Sequence, residues 1–302
     1  MPTVALLGTG IMGFPMAANL ARVGLQVKAW NRTRAKADPL AEFGVEVADS
    51  AAMAVADADI VVTMLADGPM VINVLETASP RPGAVLSQMS TVGTEWTTRI
   101  AALAGKLGVV FVDAPVLGTK QPAENGRLVV LVPGPEEAAR VLDVIGSRTL
   151  WVGPAGADTK LKLVANAWVL ALTNAPAESI GLAEDLGIDP NLFLEAIKGG
   201  GVDVPYAHLK GRAMIEAEFT PSFPARLALK DAKLVLDGAS AADLAGAWAS
   251  ARGSYVRSCG FAPPANQSRR LTGLSPTARL AIDRPLRATD GRGSPGKRRT
   301  AR

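Results

Sequence analysis

At 302 residues, with 48% hydrophobic and 20% charged side chains, the chain has the length and apolar content of a two-domain globular protein with a sizeable core. The longest apolar stretch, 163–175, is broken by Asn166 and Thr173, and no basic segment precedes an apolar run at the N-terminus, so neither a membrane span nor a secretory leader is expected. The single cysteine, Cys259, excludes an internal disulfide and a cysteine-ligated zinc, and the reducing cytoplasm is the expected compartment, with no metal.

The formal charge of +4 comes from residues 250–302, which hold twelve Lys and Arg against two Asp; residues 1–249 hold 20 basic against 26 acidic side chains. The folded part is therefore acidic, and a nucleic-acid partner is not expected of it.

The chain opens on the apolar run Val4-Ala5-Leu6-Leu7, which breaks into Gly8-Thr9-Gly10-Ile11-Met12-Gly13 and resumes with helical spacing through Leu20. A strand, a tight glycine turn and a helix start, in that order, form a dinucleotide fingerprint. Gly8 permits the turn, Gly10 lets backbone N–H groups approach a pyrophosphate, and Gly13 lets the helix lie close on the sheet, with the phosphates at the positive helix end. Gly8, Gly10, Ile11, Met12 and Gly13 are the candidate cofactor contacts of this turn.

The second strand, 26–30, ends at Asn31-Arg32-Thr33-Arg34, where the ribose-binding carboxylate of such a site usually stands. No acid is available there. Arg32 offers a planar fork of donors suited to a 2′-phosphate, with Thr33 and Arg34 beside it. Asn31, Arg32 and Thr33 are accordingly assigned to the cofactor, with NADP(H) preferred and NAD(H) possible; the alternative is a solvated basic turn.

A helix-like stretch follows to residue 43, then 45–47, an Ala-rich segment at 49–58 and a strand at 60–64. Further apolar runs at 84–86 and 109–112, with a helical pattern over 96–107, continue an alternation that predicts βαβ units and a parallel sheet. Residues 128–132, a helix at 135–145 and a strand at 149–152 are expected to close that sheet. From 159 the pattern is helical only: 159–186, about seven turns with an expected kink at Pro176, then 190–197, 206–215 and 224–236.

The expected architecture is α/β: a Rossmann-type doubly wound parallel sheet in 1–158 and an all-α second domain in 159–248, apparently incomplete. An irregular Arg/Pro/Gly-rich tail follows in 249–302. Eleven of the tail's twelve basic residues are Arg, and no Glu follows Glu218. The tail reads as a frameshifted continuation of a GC-rich gene, the alternative being a natural disordered segment.

Four motifs bear on chemistry. They are the opening Gly8-x-Gly10-x-Met12-Gly13-x-Pro15-Met16-x-x-Asn19-Leu20; Met89-Ser90-Thr91-Val92; Asp113-Ala114-Pro115-Val116-Leu117-Gly118-Thr119-Lys120-Gln121-Pro122-Ala123-Glu124-Asn125-Gly126; and Gly153-x-x-Gly156 followed by Lys162-Leu163-Val164-Ala165-Asn166. In this order and spacing, over about residues 1–237, the chain resembles the β-hydroxyacid dehydrogenase family. The run from Lys120 to Gly126 is similar to the glyoxylate/succinic semialdehyde reductase branch.

The resemblance implies an NAD(P)-dependent oxidoreductase of small hydroxy-acid/oxo-acid or semialdehyde pairs (3-hydroxyisobutyrate, glyoxylate or succinic semialdehyde type), assembled as a homodimer or homotetramer. It puts Thr91 at the nicotinamide, Met64 and Leu65 at the adenosine side, and Phe223 and Lys230, with Asp231, over the nicotinamide. It gives the substrate carboxylate to the loop Leu117, Gly118, Thr119, where Leu117 stands in place of the family's usual Ser, and it gives Lys162 the catalytic role.

The residues support the last assignment on their own terms. Lys162 and Asn166 are i and i+4, so they share one face near the start of the long helix, and a carbonyl reduction needs a proton and positive charge at the developing oxyanion. Asn166 could fix the lysine and that oxygen. The bland readings are a solvated helix lysine, a core strand end at Met64-Leu65, and a core aromatic with a surface ion pair at Phe223 and Lys230-Asp231. His208 is expected at a surface or packing position, and Trp168 in the core or a substrate wall. Three competing functions stand beside the main one: an imine reductase-like enzyme, whose family generally lacks the lysine; an inactive NADP-binding protein, because the family's closing helices are missing after Leu236; and nucleic-acid binding through the tail.

Overall fold

The computed structural model describes residues 2–133 and 139–239. The expected tail at 249–302 with Cys259, the end of the expected second domain and the start of the expected 135–145 helix lie outside the described residues. In chain order the first part reads β1 (Thr3–Leu7), α1 (Gly13–Arg22), β2 (Gln26–Trp30), β3 (Glu46–Val47), α2 (Ala51–Val55), β4 (Ile60–Thr63), α3 (Gly68–Ala78), β5 (Val85–Gln88), α4 (Thr94–Leu107), β6 (Val110–Asp113), β7 (Val116–Leu117), α5 (Lys120–Glu124), β8 (Leu128–Val132), α6 (Ala139–Ile145) and β9 (Gly146–Trp151). The second part is helical throughout: α7 (Ala157–Asp185), α8 (Pro190–Ile197), α9 (Pro205–Ile215) and α10 (Ala225–Gly238).

Why β1 is an unbroken apolar run follows from its place at the centre of the sheet. Val4 and Leu6 enter one apolar cluster, Ala5 and Leu7 the other, and all four are fully buried. A strand covered on both faces has no solvent side to keep polar. One face is covered by α1 (Met16, Ala17, Leu20) and α6 (Leu142, Ile145). The other is covered by α2 (Ala54, Val55), α3 (Val71, Leu75) and α4 (Ile100, Ala104). Each large apolar side chain taken fully from water contributes about 1.5–3 kcal/mol.

The sheet has the order β3-β2-β1-β4-β5-β6 with every pairing parallel. From β1 the chain builds outward to β3 and then returns to build the other way through β4. That reversal makes a doubly wound, Rossmann-type sheet whose crevice lies outside the carboxyl ends of β1 and β4.

Two expectations are corrected. Residues 128–132 and 149–152 do not close the main sheet: β7, β8 and β9 form a separate three-stranded sheet, with β7 antiparallel and β9 parallel to β8. The break falls at Pro115, which has no N–H to continue β6; its carbonyl accepts from Leu131 N at 2.9 Å instead. Between β2 and β3, two short 3₁₀ turns, Arg34–Lys36 and Asp38–Phe43, replace the expected helix. Pro39 sits in the first turn of the second, and Gly44, at φ 79°, ends it.

Pro176 lies inside α7, which remains one helix of 29 residues. Leu163 and Leu170 of α7 pack on Ala228, Ala232 and Val235 of α10, while Thr159 hydrogen-bonds Thr97 of α4 at 3.1 Å. The first turns of α7 thus belong to both parts of the molecule. Among the described residues no helix is long and apolar enough to cross a membrane.

Candidate active site

The glycine turn is dictated by close backbone approach. Gly8 has φ +105°, and a Cβ there would lie 2.4 Å from the Met64 carbonyl oxygen; a Cβ on Gly13 would lie 1.9 Å from the Gly8 carbonyl oxygen. Only glycine fits either position. Around Gly10 nothing stands within 4 Å of the Cβ position, so the turn offers open backbone at the N-terminus of α1. This fits a dinucleotide pyrophosphate.

Asn31 ties the end of β2 to this turn. It accepts from Thr9 N at 3.1 Å and donates to the Thr33 carbonyl at 2.9 Å. Arg34 is committed to Asp38 and Asp49. The exposed Arg32 makes no hydrogen bond or ion pair among the described residues, so its guanidinium donors are uncommitted.

The carboxyl ends of β4, β5 and β6 are knitted by two side chains. Leu65 N donates to Ser90 Oγ at 2.8 Å, and Ser90 Oγ donates to the Thr63 carbonyl at 3.2 Å. Gln88 accepts from Ser90 N at 2.7 Å and donates to Asp113 Oδ1 at 3.1 Å. Met64, Leu65 and Thr91 are thereby fixed at the rim of a cleft of about 960 Å³. A cleft of that size admits the reactive end of a cofactor and a small acid together.

Ile11 and Met12 reach the cleft from the glycine turn. Leu117, Gly118 and Thr119 line it from the end of β7 and the residues that follow, and Lys162, Asn166, Trp168, Phe223 and Lys230 from the helical part. The structure therefore brings together residues from six separate stretches. Gly8, Gly10, Gly13, Asn31, Arg32 and Thr33 are not among its lining residues.

Lys162 is only 9% exposed. Its Nζ donates to the Val116 carbonyl at 2.7 Å, directly before Leu117. Burial pushes its pKa down from 10.5 to about 8, the Asp231 carboxylate pulls it up and the Lys230 ammonium lowers it. Asn166 has a different partner from the expected one: its Nδ2 donates to Asp231 Oδ2 at 2.9 Å. Asp231 is buried and pairs with Lys230 at 2.8 Å, and Lys230 also donates to the Thr91 carbonyl. The pair joins α10 to the loop after β5 and is not a surface ion pair.

Gly118 has φ +129°, and a Cβ there would meet Leu128 Cδ2 at 2.6 Å. The amides of Gly118 and Thr119 donate to no acceptor among the described residues. Trp168 is 61% exposed, a wall of the cleft and not core. His208 lies outside the cleft, 2.7 Å from Asp203 Oδ1. Sequence reading missed Gln88 and Ser90 as loop ties and Asp231 as the partner of Asn166. The partners stand 25 and 65 positions apart, and no local pattern marks such a pairing.

Comparisons with known proteins place the chain in a family. Residues 3–153 match the family model of the NAD-binding domain of 6-phosphogluconate dehydrogenase, and residues 156–260 match that of the NAD-binding domain of NADP-dependent 3-hydroxyisobutyrate dehydrogenase. The chain is 35% identical over 246 residues to glyoxylate/succinic semialdehyde reductase 2 of Arabidopsis thaliana, covering 78% of this chain and 68% of that protein. It belongs to the β-hydroxyacid dehydrogenase family.

Within that family it is also 34% identical over 257 residues to the probable 3-hydroxyisobutyrate dehydrogenase of Mycobacterium tuberculosis, covering 80% of this chain and 86% of the relative. The solved structure of the 3-hydroxyisobutyrate dehydrogenase of M. tuberculosis with L-serine superposes with a TM-score of 0.73 at 30% identity, covering 85% of this chain and 93% of that one. The chain is thus an NAD(P)-dependent hydroxyacid dehydrogenase or reductase acting on a small hydroxy or oxo acid.

Proposed function

We propose that the chain is an NADP-preferring reductase of a small oxo acid or semialdehyde, with Lys162 as the proton donor. The observation that carries this reading is the buried ammonium of Lys162, held on the Val116 carbonyl inside the cleft with its pKa lowered to about 8. When bound, the reduced cofactor supplies a hydride to the carbonyl carbon. Lys162 Nζ holds the proton that the carbonyl oxygen takes as negative charge builds on it, and near pH 8 the amine can take it back in the oxidative direction.

The unoccupied amides of Gly118 and Thr119 hold the substrate carboxylate. Leu117 supplies apolar surface where a hydroxyl would otherwise narrow the choice of acid. Arg32 takes the ribose 2′-phosphate, Asn31 and Thr33 frame it, and the Gly8-Gly10-Ile11-Met12-Gly13 turn takes the pyrophosphate. Met64 and Leu65 flank the adenosine side, and Thr91, Phe223 and Lys230 the nicotinamide. In this reading 1–158 is the cofactor domain and 159–248 the substrate domain, paired with a second copy through exposed helical residues such as Val164, Leu182 and Leu186.

Oxidation of NADPH by the purified chain against glyoxylate, succinic semialdehyde and methylmalonate semialdehyde tests the proposal. Turnover with at least one of them, faster with NADPH than with NADH, is expected. NADPH binding without turnover on any of them contradicts it.

A further inference from the structure

Two carboxyl groups that this chemistry does not use meet beneath the site. Asp113 ends β6 and precedes the substrate loop; Asp158 lies in the first turn of α7, one helical turn before Lys162. They are 3% and 0% exposed. Asp113 accepts from Gln88 Nε2 at 3.1 Å on one oxygen and from Thr159 Oγ1 on the other. Neither Asp158 oxygen accepts a hydrogen bond from any donor among the described residues, and the buried Asp158 carboxyl lies close enough to that of Asp113 to act on it.

Ionised carboxylates are acceptors only, so two of them have nothing to offer each other. Side by side in a dry site they cannot both stay charged. The groups acting on Asp113 are Gln88 from β5 and Thr159 and Asp158 from α7, with Thr97 of α4 behind Thr159. Asp158 is the only titratable one, and no lysine or arginine is among them. A proton between the two carboxyls is the positive charge that completes the contact.

We propose that Asp113 and Asp158 share one proton and act as a positioning pair, fixing the start of α7 to the end of β6 so that Lys162 stays on the Val116 carbonyl. The pair spans the two segments whose relative placement sets the distance from the proton donor to the substrate loop. Its catalytic consequence rests on the reading of Lys162 as proton donor; the shared proton does not. Burial, then the hydrogen bond and charge of Asp158, hold the Asp113 carboxyl well above the usual carboxylate range. Stability from the shared proton is therefore fully present below that usual range and is lost as pH rises through the raised value of Asp113.

The test compares wild type with Asp158→Asn and Asp158→Ala between about pH 5 and pH 10, reading melting temperature, kcat with NADPH and NADPH affinity. The Asn amide donates to Asp113 without a shared proton. Its melting temperature should therefore rise relative to wild type as pH rises, and parallel curves would overturn the shared proton. Asp158→Ala should lower kcat roughly 10- to 100-fold with NADPH affinity unchanged. It should also move the alkaline limb of kcat from about 8 toward 10.5 as Lys162 leaves its buried seat. Asp158→Asn should restore both.

Alanine and asparagine variants with the wild-type limb and rate would overturn the positioning role. If the alanine variant does not fold, Asp158→Ser, which also lacks the carboxyl, takes its place: a lowered kcat with the limb moved toward 10.5 is expected, and the wild-type limb and rate would overturn the positioning role. Wild-type turnover in Lys162→Met would instead mark failure of the proton-donor reading. The melting curves would then still judge the shared proton.

Discussion

Lys162→Met should change how stability responds to pH, with a size that follows from the burial of the ammonium. In the folded chain the group titrates near 8 and in the unfolded chain near 10.5. A depressed lysine pKa means that between these values the unfolded chain binds more protons, so wild-type stability rises with pH there, and the cost of the buried charge is fully present below 8. Integrating from pH 7 to pH 10 gives roughly 2.5 kcal/mol gained by wild type and not by the methionine variant.

For a folded unit of this size that is about 5–10 °C in the difference between the two melting temperatures. Losing the bond to the Val116 carbonyl affects the variant at every pH and drops out of the comparison, as does the titration of Asp113, which both chains retain. Thermal melts followed by helix circular dichroism at pH 7, 8, 9 and 10 measure it. A wild-type-minus-variant difference that stays flat, or falls with pH, would refute the claim that Lys162 is buried as a strained ammonium.

The glycine turn separates structure from ligand binding. Gly13→Ala, whose Cβ would sit 1.9 Å from the Gly8 carbonyl oxygen, should lower stability by about 1–3 kcal/mol in a urea titration. Gly10→Ala, which meets nothing within 4 Å, should stay within about 0.5 kcal/mol of wild type while weakening NADPH binding. Arg32→Ala removes charge-assisted bonds to a 2′-phosphate, so its NADPH dissociation constant should rise roughly 10- to 100-fold in a fluorescence titration. Its NADH dissociation constant should not change; equal losses for both cofactors would place Arg32 outside the phosphate site.

The parts of this molecule that could be read in the sequence are those set by local stereochemistry. Gly8 and Gly13 are required by backbone contacts within a few residues or one strand away, and β1 betrays its central place because both faces are buried. The 3.6-residue period of α7 likewise survives translation into a helix, even across Pro176. The separate β7-β8-β9 sheet was not legible, since the apolar runs at 128–132 and 149–152 look the same whichever sheet receives them. Only the missing N–H of Pro115 marks the break. In the site, Lys162 and the loop at Leu117–Thr119 could be located by spacing and resemblance. The partners that tune them could not: Asp231 reaches Asn166 from α10, and Asp158 finds Asp113 across 45 positions, contacts that only packing creates.

The measurement closest to the central claim is kcat for NADPH-dependent reduction by Lys162→Met beside its NADPH dissociation constant, using whichever small oxo acid or semialdehyde the wild type turns over fastest. A proton donor acting at the developing oxyanion should cost about 10²- to 10⁴-fold in kcat when removed, with the dissociation constant unchanged because the glycine turn and Arg32 are intact. A kcat within a few-fold of wild type, at unchanged cofactor affinity, would contradict the account.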